Sequence, residues 1–121
     1  MFNVIIAGTR TFNDYDLLCK KCDIFFSRMK PDAIVCGEAR GADSLGRRYA
    51  EEHGIPILSF PADWDTYGKK AGYLRNRQMA EAAHALVVFW DGESRGTKNM
   101  IDLAHEYGLP MRIVRYNQIK P

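Results

Sequence analysis

One pentapeptide occurs twice in this chain, each time between an apolar run and a stretch with helical periodicity. The first copy, GEARG, covers residues 37–41, and the second, GESRG, covers residues 92–96. The apolar runs before them are residues 33–36 and 85–90. An apolar run, a glycine-bearing turn and a helix form one βα unit, and such units assemble into sheets of parallel strands. The repeat therefore predicts an α/β fold.

Each copy of the pentapeptide also supplies groups that attract an anion. The first N–H groups of a helix have no intrahelical partner, and the helix dipole places partial positive charge there. Arg40 and Arg95 add a guanidinium to each turn. Glycine and arginine are common in ordinary βα turns, but two copies at matching points favour a functional origin. We therefore expect an anionic ligand group such as phosphate, held by these two arginines.

Strand and helix signals alternate along the whole chain. We predict strands at residues 2–7, 33–36, 57–60, 85–90 and 111–115, and helices at residues 14–29, 42–53, 71–83 and 97–108. Asn13 or Asp14 is expected to cap the first helix and Thr97 the fourth. Residues 61–70 are predicted as a polar loop and residues 116–121 as a short tail. Five strands separated by helices predict a single Rossmann-like, doubly wound parallel sheet in the order 3-2-1-4-5, with helices on both faces.

Length and composition limit the class of protein. A chain of 121 residues, 46% hydrophobic and 26% charged, fits one globular domain covering residues 1–121. The net charge of +2 does not by itself indicate nucleic-acid binding. No apolar run is long enough to span a bilayer, and the first residues are typical of a strand rather than a signal peptide. An odd number of cysteines fits a reducing compartment, so we expect a cytoplasmic protein without membrane contact.

Neither the cysteines nor the histidines predict a metal site. Cys19 and Cys22 resemble half of a metal or redox motif, but both lie on one apolar helical stripe, which favours packing in the core. His53, His84 and His105 lack the spacing of metal ligands. We expect neither a metal nor another cofactor.

A ligand of a doubly wound sheet binds at the carboxyl ends of the strands, where the strand order reverses. In the predicted order this point lies between strands one and four. The turns there match neither the P-loop nor the G-x-G-x-x-G motif. The predicted ligand- and phosphate-binding residues are Gly8, Thr9, Arg10, Gly37, Arg40, Gly41, Asp43, Arg75, Asn76, Gly92, Ser94, Arg95, Gly96 and Thr97.

Three side chains near these turns allow two interpretations. Glu38 and Glu93 suit hydrogen bonds to ribose hydroxyls, or ion pairs with Arg40 and Arg95. Trp64 suits stacking on a base, or packing of its own loop. The sequence leaves both alternatives open.

Together these segments resemble the SLOG superfamily, which includes lonely-guy-type phosphoribohydrolases and DprA-type DNA-processing proteins. The chain is most similar to the YspA branch, small single-domain relatives of YpsA. The matching segments are residues 8–10, 37–43, 71–79 and 89–97. The resemblance implies a Rossmann-like fold and the binding of a nucleotide or a nucleotide-derived ligand.

The lonely-guy-type enzymes remove a base from a nucleoside monophosphate with an arginine and a glutamate. The resemblance puts Arg75 in the place of that arginine, because residues 75–79 match the R-K-x-x-M stretch of those enzymes. Residues 98–100, Lys-Asn-Met, stand where the carboxylates would be. The candidate catalytic residues are therefore Arg75 and Glu38, with Asp102 as an alternative carboxylate.

Three functions remain open at this point. The first is binding of a nucleotide or nucleotide-derived molecule, the second is hydrolysis of its N-glycosidic bond, and the third is binding of single-stranded nucleic acid. Arginines in the loops of one crevice suit a compact ligand better than a nucleic acid, and the missing carboxylates at residues 98–100 favour binding, with hydrolysis as the alternative. Relatives pair through helices, so we also expect a homo-oligomer formed through apolar residues of helices three and four, namely Leu74, Met79, Met100 and Leu103.

Overall fold

The computed structural model describes residues 1–116, so most of the predicted tail, residues 117–121, lies outside the described residues. The elements are β1 Asn3–Gly8, α1 Tyr15–Phe25, β2 Ala33–Cys36, α2 Ala42–Glu52, β3 Ile57–Ser59, α3 Trp64–Tyr67, a 3-10 turn Gly68–Lys70, α4 Ala71–Ala82, β4 Ala85–Trp90, α5 Arg95–Glu106 and β5 Met111–Arg115.

The five strands form one parallel sheet in the order β3-β2-β1-β4-β5, which confirms the predicted fold. Strand β1 is central, and its Ile5 aligns with Val35 of β2 and Leu86 of β4. Every residue of β2 is buried, as expected of a strand covered on both faces.

Successive residues of β1 point to opposite faces of the sheet and enter separate cores. Val4 and Ile6 pack with α1 and α2. Ile5 and Ala7 pack with α4 and α5. This division places two helices on each face and leaves the carboxyl edge of the sheet open to a ligand.

Two helix boundaries differ from the prediction. Helix α1 begins after Asp14, whose carboxylate accepts a hydrogen bond from the Leu17 amide at 3.0 Å. It ends at Phe25 rather than near residue 29, because the amide and hydroxyl of Ser27 both donate to the Ile24 carbonyl and form a tighter turn. Met29 is consequently exposed.

Helix α5 begins at Arg95, two residues earlier than predicted, so Thr97 is not its cap. Ser94 caps the helix, and its hydroxyl oxygen accepts hydrogen bonds from the Thr97 amide at 3.4 Å and the Thr97 hydroxyl at 2.9 Å. Both residues have capping chemistry, and the position of the last extended residue decides between them.

The predicted loop at residues 61–70 contains a short helix. Asp63 caps α3 by accepting a hydrogen bond from the Thr66 amide at 3.1 Å, and the 3-10 turn then leads directly into α4. A helix of four residues is too short to produce a hydrophobic period, so sequence periodicity does not detect it.

The cysteines are free thiols, and Cys22 and Cys36 are fully buried. Burial raises the pKa of each of these two thiols to about 12. Cys19 is half-buried and packs against the same core as Cys22, which confirms the predicted core role of the pair. None of the helices within residues 1–116 has both the length and the apolar character needed to cross a membrane.

Candidate functional site

Three loops meet at the carboxyl edge of the sheet because β1 lies between β2 and β4. Thr9 joins them. Its carbonyl accepts the Ala42 amide at 3.3 Å, and its hydroxyl oxygen accepts the Asp91 amide at 3.1 Å. Thr9 is buried, so its side chain positions the loops rather than facing a ligand.

Asp43, in the first turn of α2, is the second junction of these loops. Its carboxylate is 4% exposed and accepts hydrogen bonds from the amides of Gly8, Gly37 and Ala39. Burial raises the pKa of Asp43 to about 6, although the charge of Arg75 and the three amides oppose that shift. A carboxyl that titrates near neutrality therefore lies beneath the two loops.

Arg75 of α4 extends towards the same point. One of its Nη atoms donates to the Gly37 carbonyl, and its Nε donates to the Asn76 side chain at 3.0 Å. Burial lowers the pKa of Arg75, the nearby Asp43 opposes this effect, and the positive charge of Arg10 adds to it. Two guanidinium groups thus lie close enough to repel each other, which an anion between them would relieve.

Asn76 connects this cluster to the start of α5. Its side-chain amide donates to the Gly96 carbonyl at 3.3 Å and to the Asn99 side chain at 2.9 Å. The position of α5 relative to Arg75 is therefore fixed by side-chain hydrogen bonds.

A cavity of about 340 Å³ lies over β1, between α4 and the start of α5. We call it the main cavity because more of the predicted ligand residues line it than line any other cavity. Cationic and aromatic side chains form part of its wall, together with buried polar groups and the N-terminal backbone of α5. The predicted residues that line it are Gly8, Arg10, Asp43, Arg75, Asn76, Ser94, Gly96 and Thr97.

A second cavity of about 310 Å³ adjoins the first. Of the predicted residues it adds Gly37, Glu38 and Arg40, and it shares Arg10 and Arg75 with the main cavity. No ion pair between described residues 1–116 includes Arg10 or Arg40. Their charges are thus available to a ligand.

Four predicted ligand residues line neither cavity. They are Thr9, Gly41, Gly92 and Arg95. Thr9 and Gly41 hold the loops together, Gly92 packs against the Arg115 guanidinium, and the Arg95 side chain is exposed. These four remain predictions without a cavity contact.

Sequence reasoning missed several wall residues of the main cavity, chiefly Lys69, Gly72, Tyr73 and Met100. The basic and aromatic residues at the start of α4 could have indicated this wall. The sequence did not place them there, because the short α3 and the 3-10 turn bring the start of α4 over the sheet. Trp64 was expected either to stack on a base or to pack against its own loop. It lines both cavities and is 49% exposed.

Comparison with known proteins places this site in a family. A family model described as YspA, cpYpsA-related SLOG family matches residues 2–67, which include β1, β2, α2 and the loops between them. A curated relative, the Gene 61 protein of Mycobacterium phage D29, is 34% identical over 121 residues, covering 92% of this chain and 94% of that protein. The chain belongs to the YspA, cpYpsA-related SLOG family.

In this SLOG protein the candidate carboxylates have very different positions. Glu38 lines the second cavity and pairs with Arg47 at 3.2 Å rather than with Arg40. Asp102 pairs with Lys98 at 3.0 Å on the exposed side of α5. Among residues 1–116, Asp43 is the carboxyl on the wall of the main cavity.

Proposed function

We propose that this SLOG protein binds a nucleotide or a nucleotide-derived ligand in the main cavity. The observation that carries the proposal is the approach of Arg10 to the buried Arg75 on the cavity wall, with no carboxylate of residues 1–116 paired to Arg10. Such an arrangement favours an anion, and the start of α5 adds free amides beside it.

Gly96 supports the same proposal. It lies in the first turn of α5 on the cavity wall, its φ is not positive, and a Cβ placed on it would meet no atom within 4 Å. Neither the fold nor the backbone conformation requires glycine here. Close approach of a ligand to the backbone accounts for its presence.

Binding can be measured by calorimetry with the mono- and diphosphates of the four common ribonucleosides. We expect Arg10→Gln to weaken binding of the best nucleotide about tenfold or more, because it removes a charge-assisted hydrogen bond. Arg28→Gln is the matched control, since Arg28 is an exposed arginine beyond the end of α1. Equal affinities of the wild type and Arg10→Gln, or no binding of any nucleotide, would refute the proposal.

Hydrolysis of an N-glycosidic bond is the second candidate, and Asp43 is the observation that favours it. It is a carboxyl on the main cavity wall with a pKa near neutrality. The support is weaker because three backbone amides already occupy this carboxylate, and Asn99 and Met100 cannot activate water. We expect release of free base from nucleoside monophosphates to be slow, as followed by chromatography. Rapid release abolished by Asp43→Asn, in a folded variant, would instead favour the hydrolase.

Self-association and a cytoplasmic location belong to the same proposal. Met79, Met100 and Leu103 are buried in the monomer, so they cannot form a contact between copies. Leu74 of α4 is 41% exposed and the neighbouring Tyr73 is 49% exposed, so these two side chains can contact a second copy. Light scattering that shows a dimer converted to a monomer by Leu74→Glu would support this interface. The three free thiols support a reducing compartment.

A further inference from the structure

The two cavities at the carboxyl edge are adjacent parts of one recess. Arg10, Ala39, Trp64 and Arg75 line both of them. Ligand pockets usually measure roughly 300–1,000 Å³, so each cavity alone is at the lower limit of that range. A single mononucleotide in the main cavity would leave the second cavity empty.

The second cavity has its own chemistry. Arg40 lines it without an ion-pair partner among residues 1–116. Glu38, the one carboxylate that the described part of the chain places on its wall, is held by Arg47 at 3.2 Å. Pro61 and Ala62 add a small apolar surface. These walls suit a polar group that carries or adjoins negative charge.

Trp64 is an aromatic residue that lines both cavities. It is the first residue of α3, which Asp63 caps, so its backbone is held in place. A Cβ on Gly72 would lie 3.4 Å from the Trp64 ring, so the ring lies directly against the start of α4. With half its surface exposed, the ring offers a flat face to a base or a sugar.

We infer that the ligand has two parts, namely a nucleotide whose phosphate is joined to a second polar group. The inference rests on the proposed function. The nucleoside occupies the main cavity, the linking phosphates lie at the junction between Arg10 and Arg75, and the second group enters the second cavity beside Arg40. Arg40 therefore selects for the second part of the ligand.

Calorimetry with three probes that share one base tests this inference: a nucleoside monophosphate, the corresponding diphosphate, and the symmetric dinucleoside diphosphate. The base is the one that binds best in the monophosphate series. We expect the dinucleoside diphosphate to bind about tenfold or more tightly than the monophosphate. Arg40→Gln should weaken the dinucleoside probe about tenfold and the monophosphate less than about twofold. Arg28→Gln, with the same change of charge, should affect neither.

A second variant fills the cavity instead of removing a charge. Ala62 is a partly exposed wall residue of the second cavity, so Ala62→Trp should obstruct that cavity and leave the main one open. It should abolish the advantage of the dinucleoside probe while the monophosphate still binds. Thermal unfolding verifies that each variant is folded.

The two proposals fail in different ways. If the monophosphate binds with dependence on Arg10 but the dinucleoside probe binds no more tightly, the two-part ligand is wrong and the nucleotide site stands. An Arg40→Gln effect of equal size on all probes would have the same meaning. If no probe binds, both proposals are refuted.

Discussion

The two copies of the pentapeptide differ in one residue, yet their backbones differ: φ is positive at Glu38 and Gly41 in the first copy and at Gly92 in the second. In residues 37–41 the helix starts only after the motif, at Ala42, and Gly41 is the residue before it with φ 76°. In residues 92–96 the helix starts inside the motif, at Arg95. The two nearly identical motifs therefore place their arginines and glycines in different environments.

The residue that differs accounts for the earlier helix start in the second copy. Ser94 accepts hydrogen bonds from Thr97 and satisfies a free N–H group of α5. Ala39 occupies the equivalent position of the first copy and has no side-chain acceptor. There the amide of Ala39 donates to Asp43, and Gly41 provides no side-chain cap.

The glycines of the two copies consequently have different roles. A Cβ on Gly41 would lie 2.5 Å from the Arg10 carbonyl carbon, and a Cβ on Gly37 would lie 2.6 Å from a carboxylate oxygen of Asp43. Both glycines are required by packing. Gly96 has open space around it, and no contact with residues 1–116 requires a glycine there. The two glycines of the first copy are thus structural, whereas Gly96 of the second copy is open to a ligand.

The largest expected effect is at Gly41. Gly41→Ala forces a side chain into a backbone conformation that non-glycine residues avoid and against the Arg10 carbonyl, so we expect a loss of about 3–5 kcal/mol of unfolding free energy. Chemical denaturation measures it. Gly68→Ala is the control, because Gly68 has nearly the same backbone conformation (φ 56°, ψ −132°, against φ 76°, ψ −127° at Gly41) but open space around it, and its smaller loss isolates the steric part. Equal losses at the two sites would show that packing does not require Gly41.

The next effect is the pH dependence caused by Asp43. Its pKa is raised to about 6 in the folded protein, so the folded state binds its proton more tightly than the unfolded chain does. The stability from this group is therefore fully present below about pH 4 and is lost as the pH rises through 6. We expect the wild type to lose about 2 kcal/mol relative to Asp43→Asn between pH 4 and 7. Parallel stability curves of the two proteins, from denaturant titrations at each pH, would contradict this expectation.

The sequence was sufficient for the sheet because apolar runs alternate with helical stretches along the whole chain, and glycines follow the ends of α2 and α5. It located the two loops but could not give their conformations, since the hydrogen bonds of Asp43 depend on where β1 and β2 end. The sequence also did not predict the second cavity, because Pro61 and Ala62 come close to Arg40 only once the sheet has folded. Of the two arginines expected to hold one phosphate, Arg40 lines the second cavity and Arg95 lines neither cavity.

A smaller effect tests the cap that distinguishes the two loops. Ser94→Ala should destabilise the protein by about 1 kcal/mol, because the Thr97 amide loses its acceptor. The reciprocal variant Ala39→Ser should gain no comparable stability. The amide of residue 39 already donates a hydrogen bond to Asp43, and α2 begins three residues later, at Ala42. Thermal unfolding of both variants decides the matter. A similar change in each would mean that the serine does not set where the helix begins.

The smallest effect on stability is expected at Gly96, where the effect on binding should be clear. Gly96→Ala adds a methyl group to open space in the first turn of a helix, so the unfolding free energy should change by less than about 1 kcal/mol, and alanine's helix propensity favours a gain. The same methyl group projects where a ligand would approach the α5 amides, so calorimetry should show nucleotide affinity reduced about tenfold. Arg95→Gln, next to it but on neither cavity wall, should leave affinity within about twofold of the wild type. Normal affinity of Gly96→Ala, or a larger loss in Arg95→Gln than in Gly96→Ala, would contradict this expectation. The second loop would then bind the ligand through the Arg95 side chain rather than its backbone, as the first loop does through Arg40.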